Sequence, residues 1–154
     1  MAPTSGTPAA PLSELLPGTW ELMSRIDLTD AGERRIDPSL GADPIALLIY
    51  DRAGHFAAQF MKRDRSTPTV EMAAPASNNS RAQGGYDAYF GTYTVDDADG
   101  TVTQHLRGAL SQENVGHVLT RAMTVTTDML MIRLQTTSVD GESVTRELIW
   151  RRVG

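Results

Sequence analysis

The sequence predicts an all-β protein, an eight-stranded antiparallel up-and-down barrel with a short N-terminal helical turn closing one end and long lid loops over the other. Three observations carry this. Apolar and polar residues alternate along most of the chain, with Thr, Val and aromatic residues frequent and helical periodicity scarce. The connections alternate between short and long, as a meander requires when odd and even turns fall at opposite ends. An even number of strands lets the last pair antiparallel with the first, which removes both sheet edges.

The predicted strands are 19–28, 46–51, 55–62, 88–96, 101–109, 117–126, 129–138 and 144–153. Connections 52–54, 97–100 and 127–128 are short, and the first two carry Ala-Gly and Asp-Gly turn chemistry. Connections 29–45, 63–87 and 110–116 are long and share one end with the turn 139–143. Pairing Asp96 with Thr101 sets Val95 opposite Val102 and Tyr93 opposite Gln104. Pairing Thr126 with Met129 sets Val125 opposite Leu130 and Met123 opposite Ile132. In the last hairpin a Gly141 bulge is needed to keep the apolar face inward, with Leu134 expected opposite Leu148 and Ile132 opposite Trp150. Trp20 begins the first strand and Arg152 ends the last, so both lie at the short-turn end. There Leu12–Pro17 crosses beneath the barrel and Arg152 stacks on the Trp20 indole.

Composition bounds the function. The 154 residues suit one barrel over 12–154, preceded by a Pro/Ala/Ser/Thr tail over 1–11 that reads as flexible and lacks the charged and apolar regions of a secretory signal. Cysteine is absent, which excludes disulfide and thiolate chemistry and makes a cytoplasmic location the expectation. A net charge of −5 with scattered basic residues argues against nucleic acid, and no apolar run is long enough for a membrane helix. The three histidines, His55, His105 and His117, lack metal-ligand spacing, so neither a metal nor a cofactor is expected.

Several stretches resemble the lipocalin/calycin plan and, more narrowly, the lipocalin-like domain family of bacteria and fungi. They are GTWELMS (18–24), LLIYDRAGHFAAQ (47–59), YDAYFGTYTVD (86–96), TVTQHLRGAL (101–110) and LIWRR (148–152). Gln104-His105 stands where members often carry two histidines. The resemblance implies a cup for a small, mostly apolar molecule, and for some members a cyclase or isomerase role in secondary metabolism. It also implies a short helix over the mouth near 78–86.

The expected inward face offers candidate chemistry. Small inward residues (Ser24, Ala58, Gly91) and mid-depth polar groups (Tyr93, Gln104, Arg121) point to a cavity. Arg121 is the sharpest of them: it either binds a ligand carboxylate or enolate, or is satisfied by internal partners such as Tyr93 and Gln104. Tyr93 is the candidate proton donor and His117, at the mouth, the candidate base. Ser24, Tyr50, Phe60, Gln104, Met123, Leu134 and Trp150 are the expected ligand-binding residues, Tyr50 read first as a packed floor residue. His105 and Arg107 come out on the outward face, a choice that a one-residue slip would reverse. No expected inward position is acidic, which disfavours a paired-carboxylate hydrolase.

Two functional classes follow besides binding of a small apolar metabolite with an oxygen or acidic group. One is a cofactor-independent cyclase, isomerase or dehydratase working by enclosure. The other is an interaction barrel that forms a homodimer through outward Met23, Leu47, Ile49 and Met131.

Overall fold

The structure is a computed structural model that describes residues 10–67 and 78–154. The expected flexible tail therefore falls almost wholly outside the described residues, as does the middle of the expected lid, 68–77. A helical turn α1 (Leu12–Leu15) precedes β1 (Gly18–Thr29), β2 (Arg34–Arg35), β3 (Ile45–Tyr50), β4 (His55–Met61) and β5 (Tyr86–Asp96). Then come β6 (Thr101–Ala109), a 3₁₀ turn Gln112–Asn114, β7 (Val118–Val125), β8 (Met129–Thr137) and β9 (Ser143–Arg152).

All neighbours pair antiparallel in the order β1-β3-β4-β5-β6-β7-β8-β9, and β9 returns to β1. This is the closed barrel of eight strands that the sequence predicts, with β2 as one extra strand clipped to the end of β1. The β5–β6 register sets Tyr93 opposite Gln104 and Val95 opposite Val102, and β7–β8 sets Met123 opposite Ile132. Gln104 is buried and His105 exposed. In the last hairpin Gly141 takes a positive φ of 84°, but Ile132 faces Leu148 and Leu134 faces Arg146. The expected register is thus displaced by two residues, which leaves every side chain on its face.

The closed end is built around Trp20, which is fully buried. Its indole Nε1 donates to the Leu16 carbonyl at 3.0 Å, and the Arg152 guanidinium lies 4.3 Å from the ring centroid. Arg152 also donates to the carbonyls of Leu15, Pro17 and Thr127, tying α1 to the short-turn end. Gly18 is required here. Its φ is +148°, and a Cβ would fall 2.2 Å from Arg152 Nη1 and 2.7 Å from the Gly154 carbonyl.

Two bulges break the simple alternation. In β1 the register against β9 shifts between Leu22 and Ser24, so Ser24 is exposed while Asp27 turns inward. The expected inward Ser24 is therefore corrected, because the inserted residue reverses the phase of the strand beyond it. Between Phe90 and Gly91 the β5–β6 register shifts as well. A Cβ on Gly91 would lie 1.9 Å from the His105 carbonyl, so the glycine serves close backbone approach at the bulge.

Residues 78–86 are not the expected helix. Asn78 has a positive φ of 62°, and Gln83 pairs back to Tyr86 across a turn, so the segment runs extended over the mouth. On the outside Leu47, Ile49 and Met23 are exposed, and Met131 is half-buried.

Candidate functional site

The long-loop end holds a partly open cavity of about 50 Å³. That volume takes a few ordered waters, and a guest of about five or six heavy atoms needs the roof or walls to give way as well. Its walls come from all eight barrel strands, including Arg25 (β1), Leu48 (β3), Phe60 (β4), Asp87 and Tyr89 (β5) and Gln104 (β6). Arg121 (β7), Ile132 and Leu134 (β8), and Arg146, Leu148 and Trp150 (β9) complete the ring. Two segments roof it: Asp37–Leu40 from the first long loop and Asn79–Ala82 from the second.

The second roof segment is clamped at several points. Asn78 exchanges hydrogen bonds with the Thr120 backbone at 2.6 and 3.1 Å, and Asn79 Nδ2 donates to Thr136 Oγ1 at 2.9 Å. The buried Asn114 side chain brackets the Arg81 backbone, accepting from its N–H at 3.1 Å and donating to its carbonyl at 3.2 Å. These bonds satisfy loop backbone that closure takes from water.

Four of the charges at the mouth balance one another. Arg146 meets Asp27 through two parallel bonds of 2.7 and 2.9 Å and reaches Asp37 at 3.3 Å. Arg25 donates to Asp37 at 3.0 Å, and Ser39 donates to the other Asp37 oxygen from Oγ at 2.7 Å and from its backbone at 2.9 Å. Burial would push the Asp37 carboxyl up, but Arg25, Arg146 and Ser39 together hold it down at about 2. Arg25 is lowered, by burial first and by the like charge of Arg146 second. Arg146 is raised in spite of burial, by the hydrogen bond and charge of Asp27 and by Asp37.

Two charged groups stand outside this network. Arg121 is 5% exposed and has no carboxylate partner among the described residues. Its Nη1 donates to Asn78 O at 2.8 Å, Asn78 Oδ1 at 3.1 Å and Thr120 O at 3.2 Å. Burial lowers its pKa, as loss of hydration does for any cation. Asp87 is 4% exposed; Oδ2 accepts from Ser80 Oγ at 2.6 Å and Oδ1 has no partner among the described residues. Burial pushes this carboxyl up to about 6, against the pull of Ser80, the Ala88 N–H and Arg25. Burial, with the charge of Asp87 adding to it, also raises the neighbouring Tyr89 to about 12.

Two further polar atoms of wall residues, Trp150 Nε1 and Gln104 Oε1, are buried without a partner among the described residues. Gln104 Nε2 bonds the Tyr50 hydroxyl at 2.5 Å, which anchors the amide from below. Unsatisfied buried polar groups are uncommon and costly, and here three of them line one cavity.

Of the residues singled out from sequence, Arg121, Gln104, Phe60, Leu134 and Trp150 line the cavity. Tyr50 and Met123 are buried in the core away from its wall. Tyr93 lies nearer the closed end than expected. Its hydroxyl donates to the Asp51 carbonyl in the β3–β4 turn, and its ring meets Tyr50 edge-on at 4.8 Å. His117 is half-buried outside the cavity wall. The small residues Ala58 and Gly91 are packed away from it, so they do not mark the cavity. The expectation of no inward acid is overturned by Asp27, Asp37 and Asp87, all buried. Asp87, Tyr89 and Arg146 follow from continuing the inward phase of β5 and β9 toward the mouth. Asp27 and Arg25 are hidden by the β1 bulge, and Asp37 by its place in a loop.

The lipocalin-like domain family model matches residues 17–153. The chain belongs to this family. No curated protein matches the chain. The barrel of a lipocalin-like domain commonly takes a small hydrophobic ligand. Here the apolar walls of Phe60, Ile132, Leu134, Leu148 and Trp150 suit that use, and the charges above them add a polar head. Among the described residues no group of His, Asp and Glu side chains gathers to hold a metal ion, and no helix is long and apolar enough to cross a membrane.

Proposed function

We propose that the barrel binds one small, largely apolar metabolite whose carbonyl or acidic oxygen meets Arg121. The observation that carries this reading is Arg121 itself. It is a buried guanidinium without a carboxylate among the described residues, on the wall of a cavity where Trp150 also brings an indole N–H without an acceptor among them. A buried cation without a counter-charge is costly, and a ligand oxygen relieves that cost. The cavity volume favours a small molecule or the head of a slender one. Neither Tyr93 nor His117 supports a catalytic role in this cavity, since neither lines it.

Titration with short-chain apolar ketones and carboxylic acids, followed by tryptophan emission and melting temperature, tests the reading. Trp150 on the wall reports occupancy directly. At least one ligand class should bind, and Arg121→Met should weaken it about 10-fold or more, the worth of a lost charge-assisted hydrogen bond. Equal affinity in the variant, or no binding across the panel, overturns it.

A further inference from the structure

The chemistry left over at this site is an acceptor, Asp87 Oδ1, without a partner among the described residues, and a buried cation, Arg121, without a carboxylate among them. Asp87 and Phe60 are register partners on β5 and β4, and the Phe60 ring meets the Trp150 ring at 5.7 Å. In the ring of eight strands β9 stands opposite β5, so Trp150 and Arg146 occupy the wall across from Asp87. Arg121, on β7, lies between the two walls. Ser80 fixes Asp87 through Oδ2, and Oδ1, without a partner among the described residues, belongs to a residue on the cavity wall. Side chains that pack around Asp87 exclude water, so a base there acts without a competing hydration shell.

We propose that Asp87 is a catalytic residue that moves a proton along the carbon chain of a small unconjugated ketone, converting a β,γ-enone to its conjugated isomer. This rests on the binding reading above, with the carbonyl oxygen as the group that meets Arg121. Asp87 Oδ1 removes a proton from the carbon between carbonyl and double bond. The electron pair of that C–H bond forms a C=C bond to the carbonyl carbon, and the C=O π pair moves onto oxygen. Arg121 and the Trp150 N–H stabilise that charge. The protonated Asp87 then returns its proton to the γ carbon; the old double bond supplies the new C–H pair, the double bond settles between the α and β carbons, and the carbonyl re-forms. Asp87 ends as it began, and no oxidant, reductant or co-reactant is consumed.

Charge balance selects a neutral substrate. Among the described residues Arg25, Arg121 and Arg146 at the mouth are matched in number by Asp27, Asp37 and Asp87, so these charges sum to zero when Asp87 is ionised. A ketone leaves that balance intact, whereas a carboxylate adds an unpaired negative charge beside the base. The raised position of Asp87, about 6, also places it where both of its forms are populated near neutrality.

Allyl methyl ketone is a suitable probe, because its conjugated product is read by proton NMR and any α-proton exchange is read in deuterium oxide. The wild-type chain should accelerate both, and Asp87→Asn should remove about 100-fold or more of that acceleration. Asp87→Glu should recover part of it, which a merely structural role would not do. The wild-type rate should rise with pH through about 6, as Asp87 ionises among Arg25, Arg121, Arg146, Asp27, Asp37 and Tyr89. Binding of the same ketone is measured alongside by tryptophan emission, and folding of each variant by thermal unfolding. Ketone that binds but isomerises equally fast with wild type and Asp87→Asn overturns the proton-transfer inference and leaves the binding reading standing. Absence of binding by the whole ketone and acid panel overturns both.

Discussion

Replacing Asp87 by Asn separates the cost of a buried carboxylate from every other feature of the mouth. The Asp87 carboxyl sits at about 6 in the folded barrel against an ordinary 3.8. Its folded-state value is raised, so the native state holds the proton more tightly than the unfolded chain does. Stability from this group is therefore present at low pH and lost as pH rises from the unfolded value through the folded one. The full difference corresponds to about 3 kcal/mol at 1.36 kcal/mol per tenfold change, and about 2 kcal/mol of it falls between roughly pH 4.5 and pH 7.5. Asparagine keeps an acceptor for Ser80 but leaves an amide N–H₂ where Oδ1 now lacks a partner, a pH-independent penalty of about 1–3 kcal/mol. The sign of the effect should therefore depend on pH: Asp87→Asn is less stable than wild type near pH 4.5, and the deficit shrinks or reverses near pH 7.5. Urea unfolding of both proteins at the two pH values gives the difference of differences, in which titration of Asp37 and the other acids cancels. A gap that stays constant between the two pH values would refute the reasoning, because Asp87 would then not be held protonated by burial.

The balanced network should behave in the opposite way. Arg146→Met leaves Asp27 buried without its two bonds and should cost about 3–5 kcal/mol in urea unfolding, with much of the loss recovered when Asp27→Leu is added. At the closed end Trp20→Ala should cost about 3–5 kcal/mol by the same measurement, as truncation of large buried aromatics does, while the cavity at the other end keeps its ligand affinity.

The fold was legible because closure of a meander depends on features a sequence displays openly. Alternation gives the faces, short turns give the register of adjacent strands, and Gly18-Thr19-Trp20 with Arg152 marks the closed end. The site was legible where the alternation holds without interruption, as for Gln104 on β6 and Arg121 on β7. Asp87 and Arg146 were within reach, since Arg146 lies inside the predicted strand 144–153 and Asp87 one residue before the predicted strand 88–96, both in the inward phase already set. Asp27 and Arg25 were not, because no residue type announces the bulge between Leu22 and Ser24 and the phase reverses after it. Asp37 enters from a loop, where no period applies. Tyr93 has the right phase and the wrong depth: β5 starts at Tyr86, so its middle lies closer to the mouth than Tyr93 does.

Six buried charged side chains at one mouth, five of them on the cavity wall, are a poor way to stabilise a barrel. The desolvation of a buried ion pair roughly offsets its attraction, and apolar residues of similar volume serve stability as well or better. What such a mouth supplies is a set of fixed dipoles that do not need to reorganise around a guest. The β1 bulge makes this possible, since it turns Arg25 and Asp27 inward where continued alternation would have offered Ser24 and Ile26. Asp27 and Asp37 then neutralise Arg146 and Arg25, and the pairing leaves Arg121 and Asp87 as the two groups of the mouth whose charges are not consumed by a neighbour among the described residues. They stand on β7 and β5, two strands apart, with Gln104 of β6 between them. A guest that accepts at one end and carries an acidic hydrogen at the other satisfies both, and the apolar walls below hold the rest of it.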